Sequence, residues 1–272
     1  MRKSLLALLL GLTLAAPAAA QERSLIVAAT TSVEDSGLFA ALLPKFKART
    51  GIDVRVVSRA STEALLAAEH GTVDVVIVND PGVLDRFVAA GDGTRRHNMM
   101  FNDFIIVGPE SDPAHVRGLA DGALALRKIA LDRQPFLSRG DNSGTHLAEL
   151  RLWRVAGVNP KTRSGNWYRE SGLGMGLTLT MATRLKAYTL TDRATWLAAP
   201  ERAGMEIIVA HDPKLFNPYE IIMVNAAKHP HVNVAAAGAF IDWIMSAEGQ
   251  NAIASYRIDG ERAFYPAVQG QN

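Results

Sequence analysis

The chain contains no cysteine. Disulfide staples, thiol catalysis, thiolate metal ligands and a lipid-attachment cysteine are all excluded. It also lacks an excess of charge. The 29 lysines and arginines include Arg2 and Lys3, and without those two the basic residues equal the 27 aspartates and glutamates. A neutral chain offers no broad field to nucleic acid or to an anionic membrane surface, so any anion site has to be local. After residue 20 no apolar run approaches the length of a membrane span. No internal repeat or low-complexity linker interrupts the chain. Catalytic signatures are missing too: there is no Gly-x-Ser-x-Gly elbow and no glycine loop closed by Gly-Lys-Ser/Thr. His229 and His231 flank Pro230, a spacing that reads as a solvated loop rather than a metal site. With no nucleophile–base pair, metal cluster or resident cofactor in view, the chain does not read as an enzyme.

What is present begins with a secretory signal over residues 1–20. Arg2 and Lys3 form its charged start, Leu5–Leu14 its apolar middle, and Ala18-Ala19-Ala20 its cleavage site. Cleavage is expected to leave Gln21 first. Beyond it, short β-rich runs alternate with helical patterns. Near-continuous apolar strands between helices predict an α/β fold with mostly parallel sheets covered on both faces. Strands are expected at Leu25–Ala28, Val54–Val57, Val73–Val78, Phe104–Val107, Lys128–Leu131, Pro135–Leu137, Lys186–Leu190, Ile207–Val209 and Ile221–Val224. Asn102–Gly108 and Asn217–Asn225 carry polar residues at their ends and are the candidates for strands crossing between two lobes. The expected division is 21–102 plus 226–272 for lobe 1 and 103–225 for lobe 2. A cleft between two lobes is a favoured place for a small ligand.

Four loops each open a helical pattern. Ala29-Thr30-Thr31-Ser32 puts three hydroxyls at the carboxyl end of the first strand, where ligands bind in open α/β sheets. Ser58-Arg59-Ala60-Ser61-Thr62 follows the second strand, with Ser61 or Thr62 placed to cap a helix. Ser138-Arg139-Gly140-Asp141-Asn142-Ser143-Gly144-Thr145-His146 is the most informative. It gathers a non-titrating cation, hydroxyl donors and two glycines directly before a helix. A helix start presents unpaired N–H groups and about half a positive charge, and glycine lets the backbone approach a ligand. Glu170-Ser171-Gly172-Leu173-Gly174-Met175-Gly176 is a glycine-rich turn. No strand clearly precedes it, and position 177 is Leu, so a dinucleotide fingerprint fails. Together these loops describe a pocket for a small dehydrated anion.

These loops, with Asp35-Ser36-Gly37-Leu38, Asn102-Asp103-Phe104, Gly174-Met175-Gly176…Thr178-Leu179, Ala187-Tyr188-Thr189-Leu190-Thr191-Asp192-Arg193 and Asn217-Pro218-Tyr219, resemble in order the periplasmic tungstate-binding proteins of ABC transporters. The resemblance implies a type II periplasmic binding protein: two α/β lobes joined by crossing strands and closing over one tetrahedral oxyanion, tungstate or molybdate. It implies anion contacts from Thr30, Thr31, Ser61, Arg139, Ser143, Gly144 and Thr145, with Ser32, Asp141, Gly174 and Gly176 in support. It implies a periplasmic monomer that hands its ligand to a membrane permease and its ATPase, with neither membrane insertion nor a cofactor of its own. The chain departs from the family at one loop. Ala60-Ser61-Thr62-Glu63 stands where the family shows Gly-Thr-Gly-Gln, keeping a hydroxyl and adding an acidic residue.

Asp141 separates the readings. Phosphate-binding proteins carry a similar Arg-x-Asp-x-Ser-Gly-Thr run whose aspartate accepts the proton of hydrogen phosphate. Tungstate is a bare dianion that needs donors only, so Asp141 is expected to turn toward Arg139 or a backbone N–H. A phosphate or other oxyanion binder of the same fold is the alternative. An enzyme acting on a phosphorylated or sulfated compound is a third reading, without supporting residues.

Overall fold

The computed structural model describes residues 24–163 and 166–267, and the expected signal peptide lies outside the described residues. The elements in chain order are β1 (Ser24–Thr30), α1 (Thr31–Asp35), α2 (Leu38–Thr50), β2 (Asp53–Arg59), α3 (Ser61–Glu69), β3 (Val75–Val78), α4 (Pro81–Ala89), β4 (Gly93–Pro109), α5 (Gly122–Leu131), β5 (Phe136–Ser138), α6 (Gly144–Val155), α7 (Pro160–Arg163), β6 (Tyr168–Glu170), α8 (Met175–Leu185), β7 (Thr189–Asp192), α9 (Arg193–Ala198), β8 (Met205–Val209), β9 (Phe216–Val224), α10 (Val234–Met245) and α11 (Ala247–Ser255). Three two-residue strands follow α11. No helix among the described residues is long and apolar enough to cross a membrane.

In the first lobe β1 pairs in parallel with β2 and β3, and β9 lies antiparallel to β3. Residues 93–103 of β4 then run antiparallel to β9. Past Asp103 the same strand enters the second lobe, where residues 104–109 pair antiparallel with β7 and β8. The sheets are therefore mixed rather than mostly parallel, because the chain leaves the first lobe along β4 and returns along β9 in the opposite sense. All of β9 pairs with β3 or with residues 93–103 of β4.

The side-chain period of two explains the apolar runs. Val27, Val75, Ile77, Ile221 and Met223 face Phe46, Phe240, Ile241 and Trp243. Ala28, Val76, Val78, Ile222 and Val224 face the opposite way, toward Ala64, Leu84 and Phe87. A strand buried on both faces cannot show polar alternation. In the second lobe Phe104, Ile106 and Leu190 join Leu126, Ile129, Phe136, Trp153 and Trp167, while Ile105 and Val107 meet Met175, Leu179 and Trp196. The expected strand at Lys128–Leu131 is the end of α5. Asp121 caps that helix by accepting from the Ala123 and Leu124 N–H groups, and Ala123, Leu126 and Ile129 follow helical spacing into the core. A strand over Tyr168–Glu170 does precede the glycine turn, correcting the reading that none did.

Helix α6, which starts at the anion loop, is anchored by a buried carboxyl. Glu149 Oε1 accepts from Trp153 Nε1 and from the Tyr168 hydroxyl, each at 2.9 Å. Burial outweighs these donors and pushes the Glu149 carboxyl up from 4.5 to about 7. The folded state thus retains a proton that the unfolded chain releases above pH 4.5. The stability this carries is complete at low pH and is lost as pH rises through 7. Relative to the parent, Glu149→Gln should therefore gain about 3 kcal/mol between pH 4.5 and 8. Urea unfolding at each pH reads this difference, and a flat profile would refute it.

Candidate functional site

Four helix starts meet between the lobes, and the links between them close a ring. The first lobe contributes α1 and α3, held side by side because Thr30 and Arg59 are partners in the β1–β2 register. The second contributes α6 and α8. There the Gly172 N–H donates to the Arg139 carbonyl at 2.8 Å and the Ser171 N–H to the Ser138 carbonyl at 2.9 Å. Across the cleft, the Gly144 N–H at the start of α6 donates to Ser61 Oγ at 3.0 Å. The Met175 N–H at the start of α8 donates to Thr31 Oγ1 at 3.4 Å, and the Gly176 N–H to Asp35 Oδ2 at 3.0 Å. Thr62 Oγ1 adds a bond to the Asn142 carbonyl. Arg151 and the buried Asp80 form an ion pair over the same seam.

The local sequence explains why these ends are open. Ala60 and Gly174, at the caps of α3 and α8, have no side-chain oxygen, and Thr30 makes no cap bond to α1. Only α6 is capped in its own loop, by Ser143 Oγ accepting from the His146 N–H. A helix start left without a cap presents its N–H groups outward.

Arg139 is 2% exposed and Thr145 1%. Arg139 Nη2 donates to Asp141 Oδ2 at 2.5 Å, and Asp141 Oδ1 accepts from the Ser143 N–H at 3.1 Å. The aspartate is therefore occupied on both oxygens by its own loop, in the orientation expected for it. Gly140 adopts φ 66°, and a Cβ there would overlap the Glu170 side chain. His146 is buried and supports the loop: Nδ1 accepts from the Asn142 N–H at 2.9 Å. Burial lowers its pKa, which favours the neutral ring this bond requires. Arg139 Nε and Thr145 Oγ1 find no partner among the described residues. His146 Nε2 is a third such atom in the same loop. Buried polar groups are otherwise almost always bonded, so unpartnered donors gathered in one loop mark a place built for an acceptor.

The remaining expected residues fall as follows. Thr30 is buried and shares a hydrogen bond with Ser32, which reaches the Tyr219 hydroxyl. Thr31 and Ser61 stand at the first positions of α1 and α3. Gly174 precedes α8 and Gly176 lies in its first turn. Glu63 and Arg59 are exposed, so the acidic residue that departs from the family pattern faces solvent. Two residues at the seam were given no role by the sequence reasoning, although Asp35 lies in one of the quoted motifs. Asp35 caps α8 from the opposite lobe, and burial raises its carboxyl pKa. Asn79, the first residue after β3, bonds Ser61. Its place at the carboxyl end of a parallel strand was the available signal.

A family model described as a PBP superfamily domain matches residues 15–248. The tungstate-binding protein TupA of Peptoclostridium acidaminophilum is 43% identical over 235 residues, which span 86% of this chain and 81% of that protein. The crystal structure of the tungstate ABC transporter from Geobacter sulfurreducens is 45% identical with a TM-score of 0.78, covering 86% of this chain and 98% of that one. The tungstate-binding protein TupA from Desulfovibrio alaskensis G20 is 39% identical with a TM-score of 0.73, over 89% of this chain and 98% of that one.

Thr145→Val tests the open hydroxyl directly. The swap keeps the volume and removes a buried group that has no protein partner, so the unliganded protein should keep or slightly raise its melting temperature. Loss of one hydrogen bond to a charged ligand should weaken oxyanion binding about 10–100-fold. Calorimetric titration beside thermal unfolding reads both, and unchanged affinity would place Thr145 outside the site.

Proposed function

The chain belongs to the PBP superfamily and, within it, to the family of the tungstate-binding proteins of ABC transporters, and from that membership we propose how it works. It is a solute-binding protein with the type II periplasmic binding fold, and it is not an enzyme. It captures tungstate between its lobes, and molybdate, nearly the same size and charge, suits the same donors. It works in the periplasm as a monomer and passes the anion to a membrane permease driven by an ATPase.

The observation that carries the site reading is the pair of buried, unpartnered donors, Arg139 Nε and Thr145 Oγ1, beside the ring of helix starts. The proposed contacts are the hydroxyls of Thr30, Thr31, Ser61, Ser143 and Thr145, the Gly144 N–H and the Arg139 guanidinium. Ser143 Oγ already accepts a bond from its own helix, which leaves its proton to give. All of these groups are donors, as a fully deprotonated dianion requires. The one carboxylate of the loop, Asp141, is tied to Arg139 and the Ser143 N–H, so its own loop rather than a ligand proton sets its orientation. The anion touches groups from both lobes, so it binds the closed arrangement better than an open one, and that difference drives closure.

A panel of tungstate, molybdate, phosphate and sulfate in thermal unfolding tests the ligand class. At a concentration about 1,000 times Kd, binding adds about 4 kcal/mol to the native state. For a chain of this size that is a rise of roughly 8–16 °C. The two metal oxyanions should produce it and the smaller ions should not; a rise with phosphate alone would overturn the assignment. Arg139→Lys keeps a charge beside Asp141 and loses the planar fork. It should weaken tungstate binding by about 100-fold while the unliganded protein stays folded by circular dichroism. Undiminished affinity would remove the guanidinium from the site.

A further inference from the structure

Asn79 touches three parts of the molecule at once. It is 2% exposed. Its Oδ1 accepts from Ser61 Oγ at 3.3 Å, at the start of α3. Its Nδ2 donates to Asn217 Oδ1 at 3.0 Å, where the chain returns to the first lobe. Asn217 Nδ2 donates to Asn102 Oδ1 at 2.7 Å on the outgoing strand, and Asn102 Nδ2 donates to Asp192 Oδ1 at 3.3 Å in the second lobe. Asp192 is fixed in turn by the Thr195 N–H and hydroxyl. The third contact is steric. The Asn79 carboxamide lies against Gly144 so closely that a Cβ at position 144 would overlap Oδ1, Cγ and Nδ2 together.

A carboxamide bonded at both its oxygen and its nitrogen cannot swing aside when pushed. The start of α6 therefore comes to rest on a fixed block that is itself tied to both crossing strands. We propose that Asn79 is a positioning residue: it gauges how closely the two lobes approach over the oxyanion, with Gly144 as its counterpart, and links that approach to the hinge. This rests on the reading of the cleft as the tungstate site. Asn79 does not touch the anion in this account. It holds Ser61 in place and sets the depth to which the Gly144 N–H descends. Glycine at 144 is then required by the neighbour across the cleft, since the helix itself would accept alanine.

The test is a pair of substitutions and their combination, read with sodium tungstate. Gly144→Ala should weaken calorimetric affinity about 10–100-fold through the overlap. The parent should compact by small-angle X-ray scattering on adding tungstate, and Gly144→Ala should abolish that compaction. Asn79→Ala alone should weaken binding less. In the double variant the methyl at 144 has room, so affinity should be at least about tenfold tighter than in Gly144→Ala and compaction should return, a departure from additivity expected only of groups in contact. Thermal unfolding without ligand verifies that each variant is folded. Parent-like binding by Gly144→Ala, or a double variant no better than Gly144→Ala, overturns the proposal and leaves tungstate capture standing. A parent protein that neither binds nor compacts with tungstate overturns both.

Discussion

Everything at the cleft depends on backbone N–H groups that their own helices leave unsatisfied. The first turn of any helix presents donors that need an acceptor from elsewhere. Here α1, α3 and α8 receive no cap from their own loops. The acceptors come across the seam: Ser61 for α6, Thr31 and Asp35 for α8. The helix starts of the second lobe are therefore completed from across the seam. An anion that offers several oxygens to the same donors competes on favourable terms, because bonds to a charged acceptor are roughly twice as strong as those to a hydroxyl. On the proposed function, the protein's own hydroxyls would act as weak placeholders for a stronger ligand.

Donors so exposed would be indiscriminate without the carboxylates. Asp141 neutralises part of Arg139 without closing off its Nε. Asp192 ends a buried run of asparagine amides in which every bond points the same way, from the start of α6 toward its carboxyl. Hydrogen bonds aligned head to tail polarise one another, and a buried network is secure only when each member is satisfied. Burial pushes the Asp192 carboxyl up, yet three donors hold it, so the far end of the run is fixed. The hinge strands are thereby part of the same network as the cleft.

The anion loop and the three other helix starts were legible in the sequence because their chemistry is local: hydroxyls, glycines and an arginine within a few residues of a helix. Thr31, Ser61 and Gly144 take part in bonds across the seam for that reason. What was not legible is set by pairing over distance. Gly93–Asn98 looks like a polar loop, yet it is strand because β9 supplies its ladder. Residues 216–224 read as belonging to the middle of the chain until their antiparallel partners place them in the first sheet. Lys128–Leu131 is a short apolar run, which periodicity alone cannot assign, and the cap at Asp121 lies outside it. Asn79 is an ordinary turn residue in sequence and acquires meaning only from Ser61, Asn217 and Gly144, at separations of 18, 138 and 65 positions.

The neutrality of the chain bears on how such a site chooses among anions. With no broad positive field, association is not steered toward every anion alike, and discrimination has to come from the few ångströms inside the cleft. There each lobe holds its own donors in place through its own helix starts, and closure brings the two sets together over the ligand. An anion that carries a proton brings a donor of its own among donors, and the loop carboxylate already accepts from Arg139 and the Ser143 N–H. A buried donor left unpaired costs about 1–3 kcal/mol, a factor of about 5–150. The orientation of Asp141 therefore bears on the choice between protonated and bare anions. Size remains to be sorted separately, by how near the lobes can come.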